Sequence, residues 1–514
     1  MNSAGYLGPD GKRGVVNLKD ATNKAAEIPG KSPLIVSLGD SYISGEAGRW
    51  AGNVMIQTDF WRTNAGTSSA YDDVGKDEAI RDCHRSFEAE VNIRASGTTS
   101  VNLACSGAET ASYASKNVWK PGVDFEPRVT PDGVTVYGQA QLLRNLAKAN
   151  SGRISMVLLS IGGNDFSFGT IVGKCVEAFI AGASHCSDDP SVTGLVQNTV
   201  PANQAKIAAA IGRVIDAVGD NAGEPWTLMV QDYPSPVADS KNIRYPKESY
   251  ARWSGGGCPM YNADLDWANG TALRLIDGAV RGAVSDARAA HPKAKIEMLE
   301  LKDALNGHRL CEINTYPMDS QDSPVGSWDL TGAVNNAEWV QSIRALGQAI
   351  NSELVIWPFR TQESLHPNYW GQRAYQSCIL QAYGNGKSVR GGACLLAGPG
   401  LDAQKRPNMK LIAEASLAPA PGSGKPGKVR DLGLDKKTSN KAVIRWRQPK
   451  DAQSGTLYAY QLRRPKSTWS GWASIGRSRA LHLATSRPGR YQVKVAAQVG
   501  DMRGNARQVT FRVN

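Results

Sequence analysis

The chain has 514 residues, of which 41% are hydrophobic and 21% charged, and a mean hydropathy of −0.36, values typical of a soluble protein. Its length exceeds that of one average domain and predicts two. No apolar run approaches the length of a membrane-spanning helix, which excludes that class. The net charge of +12 is unevenly distributed, because residues 425–514 hold 20 Lys and Arg against 4 Asp. That segment carries +16 and the remaining residues carry −4.

Residues 31–414 are predicted to form an α/β domain. Residues 1–30 precede it as an N-terminal extension, which lacks the basic-then-apolar pattern of a signal peptide. The predicted strands are 34–38, 101–104, 154–161, 226–231 and 296–301, and the predicted helices are 139–149, 204–218 and 263–290. This alternation favours a parallel sheet covered by helices on both faces, with the reactive site at the carboxyl ends of its strands.

The first predicted strand ends at a candidate nucleophile. Gly39 and Gly45 allow the backbone to turn sharply, and Ser41 between them stands at a strand-to-helix turn. Its hydroxyl is expected to be exposed above the edge of the sheet, and its N–H lies near a helix N-terminus, which favours a developing anion. The next two strands end in Cys-Ser-Gly at 105–107 and in Gly-Gly-Asn at 162–164. The three strand ends are therefore expected to meet at one edge.

Further residues supply the other groups that acyl transfer by a serine requires. His366 is the candidate base, and the Glu363 carboxylate is expected to hold its Nδ1–H, which leaves Nε2 for the serine proton. Gly107, where no Cβ obstructs the substrate, and Asn164, with a neutral amide, are the expected oxyanion donors beside the N–H of Ser41. Taken singly, each residue has a structural alternative, as a turn serine, a strand-end cap or a loop histidine. Their joint occurrence favours an esterase that uses no metal and no cofactor.

These segments resemble those of the SGNH hydrolases, also called GDSL lipases and esterases. The similarity spans about residues 30–400 and rests on Gly39-Asp40-Ser41, on Gly107 within the sequence ACSGA, on Gly162-Gly163-Asn164-Asp165 and on Leu365-His366-Pro367-Asn368. It implies a flavodoxin-like three-layer α/β/α sandwich with a parallel sheet, in which Ser41 is the nucleophile, His366 the base, and Gly107 and Asn164 the oxyanion hole. The family usually has Asp at the position of Glu363, and some members orient the histidine with a backbone carbonyl instead. Both possibilities stay open.

The eight cysteines fall as neighbours along the chain: Cys83 and Cys105, Cys175 and Cys186, Cys258 and Cys311, Cys378 and Cys394. None makes the C-x-x-C spacing of a zinc or redox site. The even count predicts four disulfides in an oxidising compartment, and sequential pairing is one of 105 connectivities. The alternative is eight reduced thiols in a cytosolic protein. On this cysteine pattern the chain is interpreted as a secreted protein whose export signal has been removed. The ACSGA segment and the cysteine-rich body also resemble secreted actinobacterial members of the family.

Residues 50–98 form a polar insertion that carries Trp50, Phe60, Trp61 and Tyr71. Two interpretations stay open for it, a wall of the substrate cleft or a loop anchored by its own aromatic residues. The sequence therefore leaves the acyl-chain preference undetermined, because that preference depends on the walls of the pocket.

A linker rich in Pro, Gly, Ser and Ala is predicted at residues 415–427. Residues 428–514 then change to alternating strands, predicted at 441–447, 457–463, 491–499 and 508–513. This pattern suits a small all-β sandwich. Trp446 and Tyr491 resemble core positions of fibronectin type III domains.

The charge of this C-terminal module is expected to attract an anionic partner, such as a cell-surface polymer, a lipid headgroup or an acidic polysaccharide. Trp469 and Trp472 are candidates for stacking on sugar rings. The alternative is that both pack at the edge of the sandwich and that the charge is a solvated face. Nucleic acid is not an expected partner, because no recognition motif is present.

Together these features predict a secreted serine esterase that hydrolyses carboxylic esters, of lipids or of acetylated carbohydrates, through an acyl-enzyme. Two alternatives remain. One is a surface-binding protein whose hydrolase-like body is a scaffold, and the other is an acyltransferase that uses the same residues. The oligomeric state and the ligand of the basic module are not determined by the sequence.

Overall fold

The computed structural model describes residues 2–20, 22, 24–53, 83–95, 97–115, 118–130, 133–318, 323–328, 330–343, 362–386, 388–413, 427–438, 440–450, 457–470, 473–476, 479–485, 487–499 and 502–513. The chain divides into two units, residues 1–416 and 417–514. Phe60, Trp61 and Tyr71 of the insertion lie outside the described residues, as do Trp472 and the predicted linker apart from Gly427.

The first unit is built on strands and helices in alternation. Its described strands are β1 (Ser3–Leu7), β2 (Arg13–Asn17), β3 (Leu34–Gly39), β4 (Thr99–Asn102), β5 (Tyr113–Ser115), β6 (Val118–Lys120), β7 (Pro127–Val129), β8 (Thr135–Tyr137), β9 (Ile154–Ser160), β10 (Ala222–Gln231), β11 (Ile296–Glu300), β12 (Gly392–Leu401) and β13 (Pro407–Ala413). Nine of these described strands form one mixed sheet in the order β13-β12-β11-β10-β9-β3-β4-β1-β2. The pairs β5–β6 and β7–β8 are separate antiparallel hairpins.

The parallel sheet expected from the sequence is the centre of this larger sheet. Strands β4, β3, β9, β10, β11 and β12 are all parallel, whereas β13 at one edge and β1 and β2 at the other are antiparallel. Residues 1–30, which the sequence set apart as an extension, therefore supply two strands of the sheet. All six residues of β3 are buried, as the apolar composition of a strand covered on both faces requires.

The described helices of this unit are α1 (Ser41–Ser44), α2 (Gln139–Ala149), α3 (Phe168–Ile180), α4 (Pro190–Gln197), α5 (Val200–Val218), α6 (Tyr250–Ser254), α7 (Asn262–Trp267), α8 (Leu273–Ala290), α9 (Ala333–Asn336) and α10 (Tyr369–Tyr383). A π-helical turn, Ala268–Ala272, joins α7 to α8. Helices α2, α5 and α8 pack side by side, and α10 packs on β12 and β13. No described helix is long and apolar enough to cross a membrane.

The second unit contains antiparallel strands. They are β14 (Arg430–Lys437), β15 (Lys441–Arg447), β16 (Leu457–Arg463), β17 (Ala473–Gly476), β18 (Ala480–Ala484), β19 (Gly489–Val499), β20 (Met502–Arg503) and β21 (Arg507–Val513). A three-stranded sheet has the order β14-β15-β18, and a five-stranded sheet has the order β17-β16-β19-β20 with β21 also paired to β19. Trp446, Tyr458, Tyr491 and Phe511 are buried in the core of this unit. The predicted combination of an α/β body and a small all-β C-terminal unit is confirmed at this level.

Four disulfides join the cysteines in sequential pairs, as expected from their order. They are Cys83–Cys105, Cys175–Cys186, Cys258–Cys311 and Cys378–Cys394. All four lie in the first unit, where they close loops of 11 to 53 residues. Disulfides of this kind stabilise the fold mainly by restricting the unfolded chain.

Candidate active site

Ser41 begins the short helix α1 directly after strand β3. Gly39 has a φ of +135°, and a Cβ there would lie 1.8 Å from Ser160 O, so a side chain is excluded where the chain leaves β3. The Asp40 carboxylate caps α1 by accepting a hydrogen bond from Tyr42 N at 3.1 Å. The structure thus has the predicted strand-to-helix turn. The serine is less open than expected, since 8% of its surface is exposed.

His366 contacts Ser41 although 325 residues separate them in the chain. The imidazole Nε2 lies 2.7 Å from Ser41 Oγ, and Nδ1 lies 3.0 Å from Ser364 O. Because a carbonyl oxygen can only accept, Nδ1 carries a proton, and in the neutral ring Nε2 is left to accept from the serine hydroxyl. Tyr42 Oη donates to Leu365 O at 2.9 Å, so helix α1 also holds the histidine loop. The arrangement is that of a nucleophile and a base in hydrogen-bond contact.

Glu363 does not take the position expected of it on Nδ1 of His366. Its carboxylate is fully buried and accepts hydrogen bonds from Arg49 Nε at 2.9 Å and from Trp50 Nε1 at 2.7 Å. These two donors come from the segment after α1, and they occupy the carboxylate oxygens in place of the imidazole. The backbone carbonyl of Ser364 orients the ring instead, which was the alternative that the sequence left open. Glu363 therefore anchors the histidine loop to the segment after α1.

A second carboxylate, Glu46, lies near the pair and was missed at the sequence level. It is fully buried, its Oε1 is 2.8 Å from His84 Nδ1, and its Oε2 accepts a hydrogen bond from Ser106 Oγ. Burial by itself would raise the pKa of Glu46, but the charge and hydrogen bond of His84, together with smaller contributions from His366 and Ser106, lower it to about 2. The positive form of His366 acts in the same direction. Glu46 is therefore an ionised carboxylate facing the base.

The protonation of His366 follows from these neighbours. Burial lowers the pKa of the imidazole, because the charged form is poorly solvated. The negative charge of Glu46 opposes this effect, followed by the Ser364 carbonyl and, with a smaller contribution, the Glu363 charge. The net result is a pKa below the ordinary value of 6.5. At neutral pH the ring is thus available to accept a proton.

Ser41, Gly107 and Asn164 each offer a donor after the end of one of the neighbouring strands β3, β4 and β9. Cys105 N donates to Gly39 O at 3.0 Å, which brings the turn after β4 beside the turn after β3. In the described part of the chain, the backbone N–H groups of Ser41 and Gly107 donate to no protein acceptor. Asn164 Nδ2 donates one hydrogen to Ala108 O at 2.8 Å, and its second hydrogen has no acceptor among the described residues. Unpaired donors at this edge of the sheet are what an oxyanion would bind.

The turns after β3 and β9 are tied together by one tyrosine. Gly163 N donates to Tyr233 Oη at 2.8 Å, and that hydroxyl donates to the Asp40 carboxylate. Burial raises the pKa of Asp40 to about 7, although the hydrogen bonds that its carboxylate accepts from Tyr233 Oη and Tyr42 N oppose the effect. Asp165 accepts from Thr110 N at 2.9 Å. Both acidic residues of the motif segments thus fix turns.

An apolar cleft opens beside Ser41. Its volume is about 830 Å³ when the open solvent at its mouth is included. Its wall is formed mostly by helix α3, by residues 233–237 after β10, and by residues 267–276, which include the π-helical turn and the start of α8. The apolar side chains that line it include Phe168, Ile171, Val172, Trp267, Leu273 and Ile276. A cleft with these walls fits a hydrocarbon chain attached to a group that reacts at Ser41.

One group of described side chains comes close enough to hold a metal ion, namely Cys175, Cys186 and Asp264. The two cysteines form a disulfide, so their sulfur atoms are not thiolate ligands. The Asp264 carboxylate accepts from Ser187 N at 2.9 Å and from Cys186 N at 3.3 Å. The residues therefore form a structural turn beside the wall of the cleft.

No protein-family model matches the chain, and a search of curated proteins finds no match. Among solved structures, the chain is similar to domains d3–d4 of the rat CD45 extracellular region, at 12% identity and a TM-score of 0.16 over 17% of this chain and 50% of that chain. It thus spans half the length of that structure. A structure described as a myokine has 17% identity and a TM-score of 0.16 over 17% of this chain and 97% of its own. The fibronectin type III domain of human fibronectin type III domain containing protein 3 has 22% identity and a TM-score of 0.16 over 18% and 89%.

Proposed function

We propose that the chain is a serine esterase that hydrolyses carboxylic esters through an acyl-enzyme. The observation that carries the proposal is the 2.7 Å contact between His366 Nε2 and Ser41 Oγ. A serine that only completes a turn does not require a buried imidazole hydrogen-bonded to its hydroxyl. The N–H groups of Ser41 and Gly107, which have no acceptor among the described residues, and the apolar cleft beside Ser41 supply what the rest of the reaction needs.

In the first half of the reaction, Ser41 Oγ attacks the ester carbonyl carbon while its proton passes to His366 Nε2. The carbonyl oxygen becomes an oxyanion, which accepts hydrogen bonds from the N–H groups of Ser41 and Gly107 and from the Asn164 amide. When the tetrahedral intermediate collapses, the bond to the alcohol breaks and His366 returns the proton to the departing oxygen. The product is an alcohol and an acyl ester on Ser41.

In the second half, water attacks the acyl carbon and gives its proton to His366 Nε2. The bond to Ser41 Oγ breaks, the proton returns to the serine oxygen, and the carboxylic acid leaves. Throughout, the Ser364 carbonyl holds Nδ1–H, so the ring keeps one orientation in both halves. The negative charge of Glu46 stabilises the imidazolium that forms in each half.

The fold supports assigning this chemistry to the SGNH type. Numbered by their order along the chain, the six parallel strands are arranged 2-1-3-4-5-6 across the sheet, which contains the 2-1-3-4-5 order of flavodoxin-like folds. Ser41 and Asn164 follow the two strands that flank the point where this order reverses, where ligands bind in such sheets. We assign a three-layer flavodoxin-like body on this basis, and a fibronectin type III-like sandwich for the second unit.

The cleft favours lipid esters over acetylated carbohydrates as substrates. An acetyl group needs a small pocket, whereas the cleft beside Ser41 is lined by several large apolar side chains, such as Phe168 and Leu273. Each buried methylene contributes roughly 0.8 kcal/mol, so kcat/KM is expected to rise with acyl length until the cleft is filled. Four disulfides in the first unit support an extracellular location.

The test is hydrolysis of p-nitrophenyl esters of increasing acyl length by the wild-type chain and by Ser41→Ala. The variant is expected to lose at least about 10⁴-fold in kcat, because the residues of such a site act as a unit. It is also expected to lose covalent labelling of residue 41 by a fluorophosphonate. Ser254→Ala, a serine on α6, is the matched control and should keep both. Undiminished hydrolysis by Ser41→Ala with wild-type unfolding would overturn the proposal.

A further inference from the structure

The two sheets of the second unit differ in how their charges are neutralised. The described carboxylates of this unit, Asp431 and Asp435, both lie on β14 of the three-stranded sheet. Arg445 Nε is 2.8 Å from Asp435, and Arg447 Nε is 3.5 Å from Asp431. The two carboxylates therefore offset Arg445 and Arg447 of their own sheet. The described part of the five-stranded sheet holds no carboxylate.

Four cationic side chains share one face of the five-stranded sheet. On β19, Tyr491, Val493 and Val495 are buried, so Arg490 and Lys494 lie on the opposite, outward side. The register places Arg490 directly opposite Arg512 of β21, and Arg463 of β16 opposite Gln492. Like charges directly opposite each other destabilise a strand pair unless something neutralises them.

These four side chains, Arg463, Arg490, Lys494 and Arg512, define what we call the basic face. None of the four pairs with a carboxylate in the described part of the chain. Arg463 Nε does donate to the backbone carbonyl of Ser467 at 3.0 Å, which fixes its position but leaves its charge. The basic face therefore carries four positive charges without a carboxylate partner among the described residues, so an anionic ligand could neutralise them.

Neutral hydrogen-bonding groups lie between the charges. Gln461 and Gln508 flank Lys494 across the sheet, and Thr510 lies opposite Gln492. Trp469 lies at the edge of the face, with Lys494 Nζ 4.3 Å from the centre of its ring. Amides and a hydroxyl can bond sugar hydroxyls, and the indole adds an apolar surface for a sugar ring.

We infer that the basic face binds an anionic polysaccharide. Guanidinium groups bind carboxylates or sulfates of such a polymer, and the intervening amides bind its hydroxyls. A lipid surface is disfavoured because the large apolar side chain exposed in the described part of this unit, Leu434, lies on the other sheet. This binding is separate from hydrolysis, so it does not depend on the proposed function.

The test compares two triple variants of the full chain that remove equal charge. The first is Arg463→Gln, Arg490→Gln and Arg512→Gln on the basic face, and the second is Lys441→Gln, Arg445→Gln and Arg447→Gln on the three-stranded sheet. Binding to immobilised dextran sulfate is measured between 50 and 500 mM NaCl (chosen to span the range in which exposed charges are screened), with unmodified dextran as the neutral probe. The basic-face variant is expected to bind at least roughly tenfold more weakly with a flatter salt dependence, and the second variant to stay within about threefold of wild type.

Three results would overturn the inference. Equal weakening in both variants would mean that net charge alone attracts the polymer. Binding of duplex DNA as tight as that of dextran sulfate, lost in the same variant, would assign the face to polyanions without regard to sugar. Unchanged binding of dextran sulfate by Trp469→Ala would show that the indole does not contact a sugar ring, which contradicts the polysaccharide assignment. Ser41→Ala should bind dextran sulfate as the wild type does, which keeps this test independent of the esterase.

Discussion

The two units keep their ionisable groups in opposite environments. Around Ser41, the carboxylates of Glu46 and Glu363 are buried and bonded to specific partners, and their charges act on the histidine through protein rather than water. In the second unit, Arg490 and Arg512 are exposed and lack carboxylate partners among the described residues. Buried charges are screened little by salt, whereas exposed charges are screened within roughly 8–10 Å at physiological ionic strength.

On the two proposals, this difference separates ester hydrolysis at Ser41 from polymer binding at the basic face. A change near Ser41 alters where a proton resides and should appear in kcat, in the pH profile or in stability. A change on the basic face alters a long-range attraction and should appear in polymer binding and its salt dependence. A substitution that moved both sets of properties would break the separation.

After Ser41→Ala, the largest effect predicted within the first unit is that of Asn164→Ala. The variant removes an amide whose second hydrogen has no acceptor in the part of the chain that the structure describes. If that hydrogen bonds the oxyanion as proposed, kcat for a short-chain ester should fall about 10²–10³-fold with little change in KM. Steady-state kinetics with p-nitrophenyl acetate measures both constants. Binding to dextran sulfate should be that of the wild type.

Asn269→Ala is the control for this prediction. Asn269 also lines the cleft, but its amide is already engaged by Ser235 Oγ at 2.6 Å and by Val237 O at 3.1 Å. Its removal should leave kcat for the short ester within about threefold of wild type. If both variants lose activity equally, the Asn164 amide acts through packing of the cleft and not on the oxyanion.

A smaller effect is predicted for Glu46→Gln, compared with Glu363→Gln. The Glu46 charge raises the pKa of His366, so its loss should lower that pKa further and shift the acid limb of kcat/KM to lower pH. A less basic imidazole should also reduce the plateau, by roughly tenfold. Glu363→Gln should shift the limb less, because its charge contributes less to the pKa of His366.

The pH profiles of kcat/KM for both variants and the wild type make this measurement, with thermal unfolding of each as a check on folding. If the acid limb shifted more in Glu363→Gln than in Glu46→Gln, Glu363 rather than Glu46 would be the main carboxylate that raises the pKa of His366. Salt should not alter the acid limb in any of them, since Glu46 is fully buried.

Much of the fold could be predicted because glycine-rich turns end the strands that carry the site. Gly39 and Gly162 both have positive φ in the structure, and the runs before them are the buried strands β3 and β9. Strand β12 was not foreseen, because its sequence GACLLAGPGL contains glycines and a proline that argue against a strand. Its pairing with β13 at the edge of the sheet tolerates those residues.

The candidate site was predictable where local spacing determines it and not where distant residues do. Glu363 was expected on His366 from its spacing of three residues, but Arg49 and Trp50, more than 300 residues away, bond its carboxylate. Glu46 escaped notice because its partner His84 is 38 residues distant and belongs to no motif. The acidic residue five positions after Ser41 was the available signal.

The smallest effect on activity is predicted for Glu90→Gln, which should instead change stability. Glu90 is 1% exposed, burial raises its pKa to about 8, and the charge of Asp40 adds to the shift. The folded state thus favours the protonated form, so the stability that this group contributes is full below pH 4.5 and is lost as pH rises through 8. Glutamine cannot ionise, so the Glu90→Gln variant does not lose this stability as pH rises.

The free energy of unfolding of Glu90→Gln should therefore exceed that of the wild type by more at pH 9 than at pH 5, by up to a few kcal/mol, since one pKa unit corresponds to about 1.4 kcal/mol. Denaturant titrations at the two pH values measure the difference. Glu27→Gln, at an exposed glutamate, should show the same difference at both. Because burial causes the effect, added salt should leave it in place, whereas the same salt should abolish polymer binding at the basic face. If added salt abolished the difference in unfolding free energy, Glu90 would behave like the exposed charges of the second unit. That result would contradict the contrast between the two regions.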